Sequence, residues 1–556
     1  MKKYIYSLAI AMSALTLNSC IGDLDTMPLN ETDKTAEQVY VTLGDFEKGL
    51  AYIYGSFSLV SQSDPGSADI NVGDAGASEL VRQYMVLNEM SVGSLKCVWG
   101  DAYVADLQNN SWTTAPNDAL IAVYTRCMMI VTRANEFLLQ SDKKIDMEGI
   151  KELRAEARFL RSLGYYILLD LFGNPPFALP ENIGGVLPTQ IGREGLFNWI
   201  ESELKAIISG EGGEALPNKG SVAYPRADKG AAQAVLARMY LNAEVYTGTA
   251  HWEDCIVQCN DIINNSPCML SQNFKDSFRS SGVESSKEII LAVPYDKIIA
   301  TGNDMHMRSW QAQLKDKFNL EATPWGSGTT MAITQFADTY DEDDSRIDDT
   351  WLRGAQYSSN GEILKGIYDN IGEDFIIVKE IPDASYVKEF EGWRMNKFEV
   401  APQTPSSSDT DFPFFRFAEV LMMKAECLLR TGQPGAGALV SQVRERAFRD
   451  HPEKIMVTDE QLKANSIYQY GYVEKYHIVD PGNQDPVEFG RLYDELGWEF
   501  VWEAHRRRDM IRFGLFTKKS WLSHKPKGDY RSVFPIPEVV LTSNPKLTQN
   551  PNYLQK

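Results

Sequence analysis

Two groups of residues in this chain have types and spacing that could do chemistry. The first centres on Cys20. It closes the sequence Leu17-Asn18-Ser19-Cys20, after an apolar run from Ile5 to Leu17 that opens with Lys2 and Lys3 behind it. The run is too short to span a bilayer as a stable helix and reads as an export signal. Cleavage before Cys20 would leave it as the N-terminal residue, acylated there, and each buried methylene of the acyl chains would add ~0.8 kcal/mol of anchoring. The plainer reading of the same stretch is a secretory signal with an incidental cysteine. The second group lies in 62–115, which carries Asp69, Asn71, Asp74, Glu79 and Arg82, then Trp99, Asp101, Asn109, Asn110 and Trp112. An indole face can stack on the C–H face of a sugar ring, and carboxylates, amides and guanidinium groups pair its hydroxyls. That pairing is needed because an unpaired buried hydroxyl is costly. Each tryptophan could instead be a packing residue, Trp112 above all, since it sits just ahead of a helix.

Other constellations are weaker. His251, Cys255 and Cys259 fall at i, i+4 and i+8. That spacing could suit zinc, but Trp252, Ile256, Ile262 and Ile263 make the segment a packed amphipathic helix. Asp341-Glu342-Asp343-Asp344 would permit a structural calcium and reads as a solvated acidic turn. No HExxH, P-loop or nucleophile-elbow pattern occurs. With 76 acidic residues, carboxylate pairs suited to glycoside hydrolysis are easy to propose and carry little weight.

Composition narrows the partners. A net charge of −21 repels nucleic acid and anionic headgroups. Beyond the N-terminal run no apolar stretch approaches the ~20 residues of a membrane span. Cys97, Cys127, Cys255, Cys259, Cys268 and Cys427 are too sparse in 556 residues to form a disulfide framework. Aromatic residues make up 11% of the chain, enough to furnish exposed ligand surfaces as well as a core.

The elements that must position these residues are mainly helical. In 148–172, Ile150, Leu153, Ala157, Leu160, Ile167, Leu168 and Leu171 form one apolar stripe, and Gly173 with Pro175-Pro176 stops the helix. It pairs with 196–208. Residues 227–246 and 251–264 form a second pair, 416–430 and 435–448 a third, and 35–60 with 118–140 an earlier one. Small residues such as Ala237, Ala243, Ala425 and Ala438 let helices approach closely, as in tetratricopeptide-type repeats. Residues 62–115 and 265–415 are loop-rich, with short β-like runs such as 289–294 and 375–378, and loops this long usually carry function. The expected fold is therefore mainly α. It has signal residues 1–19, a leader over 20–34, and one body over 35–556 combining a helical-pair scaffold with an irregular lobe.

Several blocks in order along the chain resemble the SusD/RagB family of Bacteroidetes surface lipoproteins. They are Ala155-Glu156-Ala157-Arg158-Phe159-Leu160-Arg161 leading to Gly173-Asn174-Pro175-Pro176; Lys229-Gly230-Ala231-Ala232 with Leu236-Ala237-Arg238; Phe412-Pro413-Phe414-Phe415-Arg416 with Ala425-Glu426; His505-Arg506-Arg507 through Arg512-Phe513-Gly514; Phe534-Pro535-Ile536-Pro537; and the closing Gln549-Asn550-Pro551-Asn552-Tyr553. The resemblance implies a non-catalytic glycan-binding lipoprotein that sits over a SusC-like TonB-dependent outer-membrane transporter and delivers oligosaccharide to it. Some relatives carry peptides in the same role. Acidic residues soon after Cys20 resemble the surface-export tag of these lipoproteins. By the same resemblance, Asp74, Arg82 and Trp99 match the early ligand-contacting residues, with Asp101 nearby. Tyr295, Trp310 and Trp325, following Glu288-Ile289-Ile290, match the contribution from the later lobe. No cofactor is implied. Arg158 and Arg161 beside Glu152 and Glu156, Arg416 with Glu419, and Glu503 with Arg507 read as structural ion pairs. Arg506-Arg507-Arg508 lies among acids and requires no nucleic acid. The C-terminal prolines suggest an extended strap over the helices.

Overall fold

A computed structural model of the chain describes residues 35–62, 66–73, 75–326, 330–383 and 386–553. The signal, the leader, Cys20 and Asp74 lie outside the described residues. The fold is mainly α, a tetratricopeptide-like helical scaffold with a loop-rich lobe of short strands. One apolar cluster runs from Phe46 to Tyr553 and joins scaffold and lobe into a single core.

Local chemistry sets the helix ends. Asn117 accepts from the Leu120 amide at 3.2 Å and caps Asp118–Asp142. Asp228 accepts from the Ala231 amide at 3.1 Å and caps Lys229–Leu241. Helix Ile150–Leu171 ends where Gly173 turns left-handed at φ 78°, a conformation that favours glycine, before the two prolines remove further donors. Helix 150–171 packs most extensively on Asp118–Asp142 before it and Arg193–Ser209 after it, so scaffold helices stack in series. Helix Trp252–Asn265 packs on both Lys229–Leu241 and Phe417–Arg430.

Two features differ from the sequence reading. The first is that the 62–115 stretch is not all loop. Its segment Leu80–Glu89 is a helix packed on Asp118–Asp142; Leu80, Tyr84 and Leu87 give it the spacing of a one-sided helix, yet its polar residues Arg82, Gln83, Asn88 and Glu89 are buried as well. The second concerns the ion pairs, which are structural but cross between elements. Arg158 and Arg161 both reach Glu203 of the next helix, at 2.8 and 2.7 Å. Arg238 holds Glu419 through two bonds of 2.6 Å. Arg416 meets Glu288, Glu499 and Glu503 rather than Glu419. Glu503 binds Lys397 and Arg416 instead of Arg507, whose guanidinium lies 4.3 Å over the Phe534 ring.

The remaining motifs are absorbed by packing. Arg506 lies 3.6 Å over Tyr493, and Arg508 donates to the Tyr84 hydroxyl at 2.6 Å, so the basic cluster faces inward. His251 turns to Asp254 at 2.8 Å and stacks on Tyr240, while Cys255 and Cys259 are buried as free thiols. Asp341 and Asp343 both hold the Lys454 ammonium, and Asp344 pairs with Arg346. Trp112 is a core residue that donates to the Tyr553 hydroxyl at 2.8 Å. The terminal strap is tied down by Asn550, whose amide donates to the carbonyls of Phe172 and Phe534 at 2.7 Å each.

The lobe is held by two-stranded antiparallel pairs. Ile289–Val293 pairs with Phe412–Arg416, which runs directly into the Phe417–Arg430 helix. Leu95–Cys97 pairs with Thr330–Ala332, with Cys97 opposite Thr330. This second ladder sets the candidate site.

Candidate functional site

In an antiparallel pair, residues that follow one strand leave beside residues that precede its partner. Trp99 follows Cys97, and Trp325 precedes Thr330, so the ladder delivers two tryptophans distant in sequence to one place. Their rings meet edge to face, with centroids 5.9 Å apart and planes at 84°. Trp99 is half-buried and Trp325 is 39% exposed, so part of each ring surface stays open to solvent. Beneath Trp99 lies the Arg308 guanidinium, 5.8 Å from the ring centroid. It sits on the short helix Met305–Ser309 and pairs with Asp304 at 3.9 Å, which in turn pairs with Arg82 at 3.2 Å. Asp101 is exposed on the rim, and Tyr103 is half-buried near both arginines.

The floor is rigid. Glu79 caps the buried Leu80–Glu89 helix by accepting from the amides of Val81 and Arg82, and it also accepts from the Tyr295 hydroxyl at 2.8 Å. The 296–304 loop lies so close to Glu79 that a Cβ on Gly302 would sit 2.4 Å from its side chain. Burial pushes the Glu79 carboxyl up to about 7, and that of Glu89 at the other end of the helix to about 8. Both values exceed those of the unfolded chain. The folded state therefore binds more protons than the unfolded state above pH ~4.5, and this contribution to stability is lost as pH rises through the folded values. The unfolding midpoint should fall between about pH 6.5 and pH 8, above the range in which His306, His505 and His524, held below their ordinary values by burial, act with the opposite sign, and Glu79→Gln should flatten part of that slope; thermal melts across the range check it.

The sequence-predicted site residues divide into two sets. Trp99 and Trp325 are brought together, and Asp101, two residues after Trp99, is exposed. Arg82, Tyr295 and Trp310 are corrected to buried supports. Arg82 is engaged with Asp304 and Tyr295 with Glu79, while Trp310 is 1% exposed, stacks on Phe318 at 4.0 Å and donates to the Met395 carbonyl at 2.6 Å. An indole locked this way presents no face to a ligand. Asp304, Arg308 and Tyr103 were not anticipated. The only trace of them in the sequence is the i, i+4 spacing of Asp304 and Arg308. Chemically, the site combines two indole surfaces with an acceptor at its rim and a guanidinium beneath, set on charge-paired side chains that cannot easily reorient.

The family model described as "SusD family" matches residues 287–553, and one described as "Starch-binding associating with outer membrane" matches residues 69–241. The chain belongs to the SusD family. Among its SusD-family relatives, starch-binding protein SusD of Bacteroides thetaiotaomicron is 27% identical over 99% of both chains. NanU of B. fragilis shares the fold at a TM-score of 0.68 and 18% identity, over 95% of this chain and 100% of its own. Surface glycan-binding protein A from B. thetaiotaomicron, solved in complex with laminarihexaose, superposes at 0.63 with 14% identity, over 92% of this chain and 100% of its own. The strand ladder that joins Trp99 to Trp325 bridges the two family-matched regions, Leu95–Cys97 lying in the first and Thr330–Ala332 in the second.

Proposed function

We propose that this SusD-family chain is a non-catalytic surface lipoprotein that captures oligo- or polysaccharide and delivers it to a SusC-like TonB-dependent transporter of the outer membrane, anchored through acylated Cys20. The observation that carries the reading is the Trp99–Trp325 pair, edge to face and partly open, on a floor of interlocked charges. Partly exposed aromatic faces suit the apolar faces of sugar rings, and the polar groups around them suit hydroxyls. Glu79 and Asp304 are buried and engaged by Tyr295 and Arg82, so these carboxylates do not flank an open cleft as a hydrolytic pair would. The names of the starch-binding and glycan-binding relatives support the same ligand class. The helical face is left for the transporter, with the lobe toward the glycan.

Native-gel electrophoresis of the purified chain through amylopectin, laminarin, xylan and pectin tests the proposal. Retardation on at least one polymer, with no release of reducing ends, is expected. Short oligosaccharides should bind weakly, since a shallow surface recovers little beyond the entropy lost on association. No retardation on any polymer, with binding of short peptides instead, would overturn the glycan reading in favour of peptide cargo.

A further inference from the structure

The lobe exposes a second set of aromatic rings away from the tryptophan pair. Tyr386 is 66% exposed, yet its hydroxyl donates to Asp369 at 2.6 Å. Tyr476 is 48% exposed, and its hydroxyl donates to Glu391, also at 2.6 Å. In both cases a charge-assisted hydrogen bond pins the polar tip of the side chain and leaves the ring in water. Both carboxylates are themselves fixed. Asp369 accepts from the Glu389 amide at 2.8 Å, and Glu391 from the Lys388 amide at 2.8 Å. The two rings share one base, because the Tyr476 amide donates to the Pro382 carbonyl at 2.8 Å.

The support beneath is built to the same end. The buried Glu389 carboxylate gathers the successive amides of Ile367, Tyr368, Asp369 and Asn370 at 3.0 to 3.4 Å, closing a tight turn. Gly366 permits that turn, since a Cβ there would meet the Asn370 carbonyl oxygen at 2.3 Å. Tyr368, 47% exposed, stands on this turn. The segment is also continuous with the tryptophan site. The Gln311 side chain donates to the Glu389 carbonyl, and the adjacent Ala312 amide donates to the Gly326 carbonyl, next to Trp325, at 3.1 Å.

We propose that Tyr386 and Tyr476, pinned by Asp369 and Glu391, form a second carbohydrate-contact surface that engages further sugar rings of a polymer already held at Trp99 and Trp325. The inference rests on the glycan reading above. Rings whose hydroxyls are already bonded lose little freedom on stacking, which favours weak and repeated contacts with an extended hydroxyl-rich chain. Two linked contacts raise the retention of a long chain without changing the affinity for a short one.

The test compares Tyr386→Ala/Tyr476→Ala with the wild type on amylopectin and maltohexaose, and on laminarin and laminarihexaose. Gel retardation reads the polymers, and calorimetry reads the hexasaccharides. The expected result is roughly five- to tenfold weaker polymer retention with hexasaccharide affinity unchanged. The single Tyr386→Ala variant, at the more exposed ring, should give part of that loss with an unaltered melting curve. Unchanged polymer retention in the double variant overturns the second surface while leaving the glycan reading intact. Equal weakening on polymer and hexasaccharide also overturns it, because the tyrosines would then belong to the primary site. A wild-type chain that binds none of the four probes removes the glycan reading for these sugars and this inference with it.

Discussion

Replacing both Trp99 and Trp325 by alanine is expected to abolish measurable glycan retention while leaving the fold intact. Each indole offers a large, rigid apolar face, and truncating an anchoring aromatic at a binding surface costs about 2 kcal/mol or more, roughly thirtyfold in affinity. The two rings also orient each other edge to face at 5.9 Å, so each single variant loses part of its partner's placement, and the double loss need not equal the sum. Folding should suffer little, because Trp325 is 39% exposed and Trp99 half-buried. Calorimetry with the retained sugar reads the first effect and circular-dichroism melts the second. Undiminished binding in the folded double variant would move the primary site elsewhere. The cleft of about 550 Å³ between Tyr52, Met128 and Val186 on the helical side would then be the next place to search.

Substituting Arg416 by alanine should be the most damaging single change to stability. Its guanidinium binds Glu288 at 2.9 Å, Glu499 at 2.8 Å and Glu503 at 2.6 Å, with every partner buried. Arg446 and Arg346 extend the network by pairing with Glu499, Arg446 also with Glu288, and Lys397 closes it on Glu503. Removing one member leaves uncompensated buried carboxylates, a cost of about 3–5 kcal/mol that urea unfolding can measure. The network also sets an acid limit. The surrounding arginines hold the carboxyls of Glu288, Glu495 and Glu499 below their usual range despite burial. Their folded values lie below their unfolded ones. The stability they supply is therefore present above pH ~4.5 and is lost as pH falls toward the folded values. Glu79 and Glu89 act with the opposite sign at higher pH, so stability should peak on the acid side of neutrality. A wild-type profile that rises steadily from about pH 6.5 to pH 8 would contradict this balance.

The long amphipathic helices were legible because their 3–4 spacing reports, element by element, which side must leave water. The stop at Gly173 and the prolines was legible for the same local reason. The Leu80–Glu89 helix carries the same spacing in Leu80, Tyr84 and Leu87, but its burial on every side was not legible, because Arg82, Gln83, Asn88 and Glu89 read as a solvent face that other elements cover. Among the tryptophans proposed for the site, residue type alone does not distinguish Trp310, stacked on Phe318 in the core, from Trp325, which is partly exposed.

By itself the sequence determined the fold class, the two-part organisation into helical scaffold and loop-rich lobe, and the short list of aromatic and charged residues from which a sugar site could be made. Only the tertiary structure decided which of them meet. It placed Arg416 among Glu288, Glu499 and Glu503, turned Tyr295 and Arg82 into a floor, and brought Asp304 and Arg308 beneath Trp99. The physical reason is that patterning records how one segment faces water or core. The partner across the core is set by strand register and helix packing between segments far apart in the chain. The pairing of Cys97 with Thr330 is such a contact, and it carries Trp99 to Trp325.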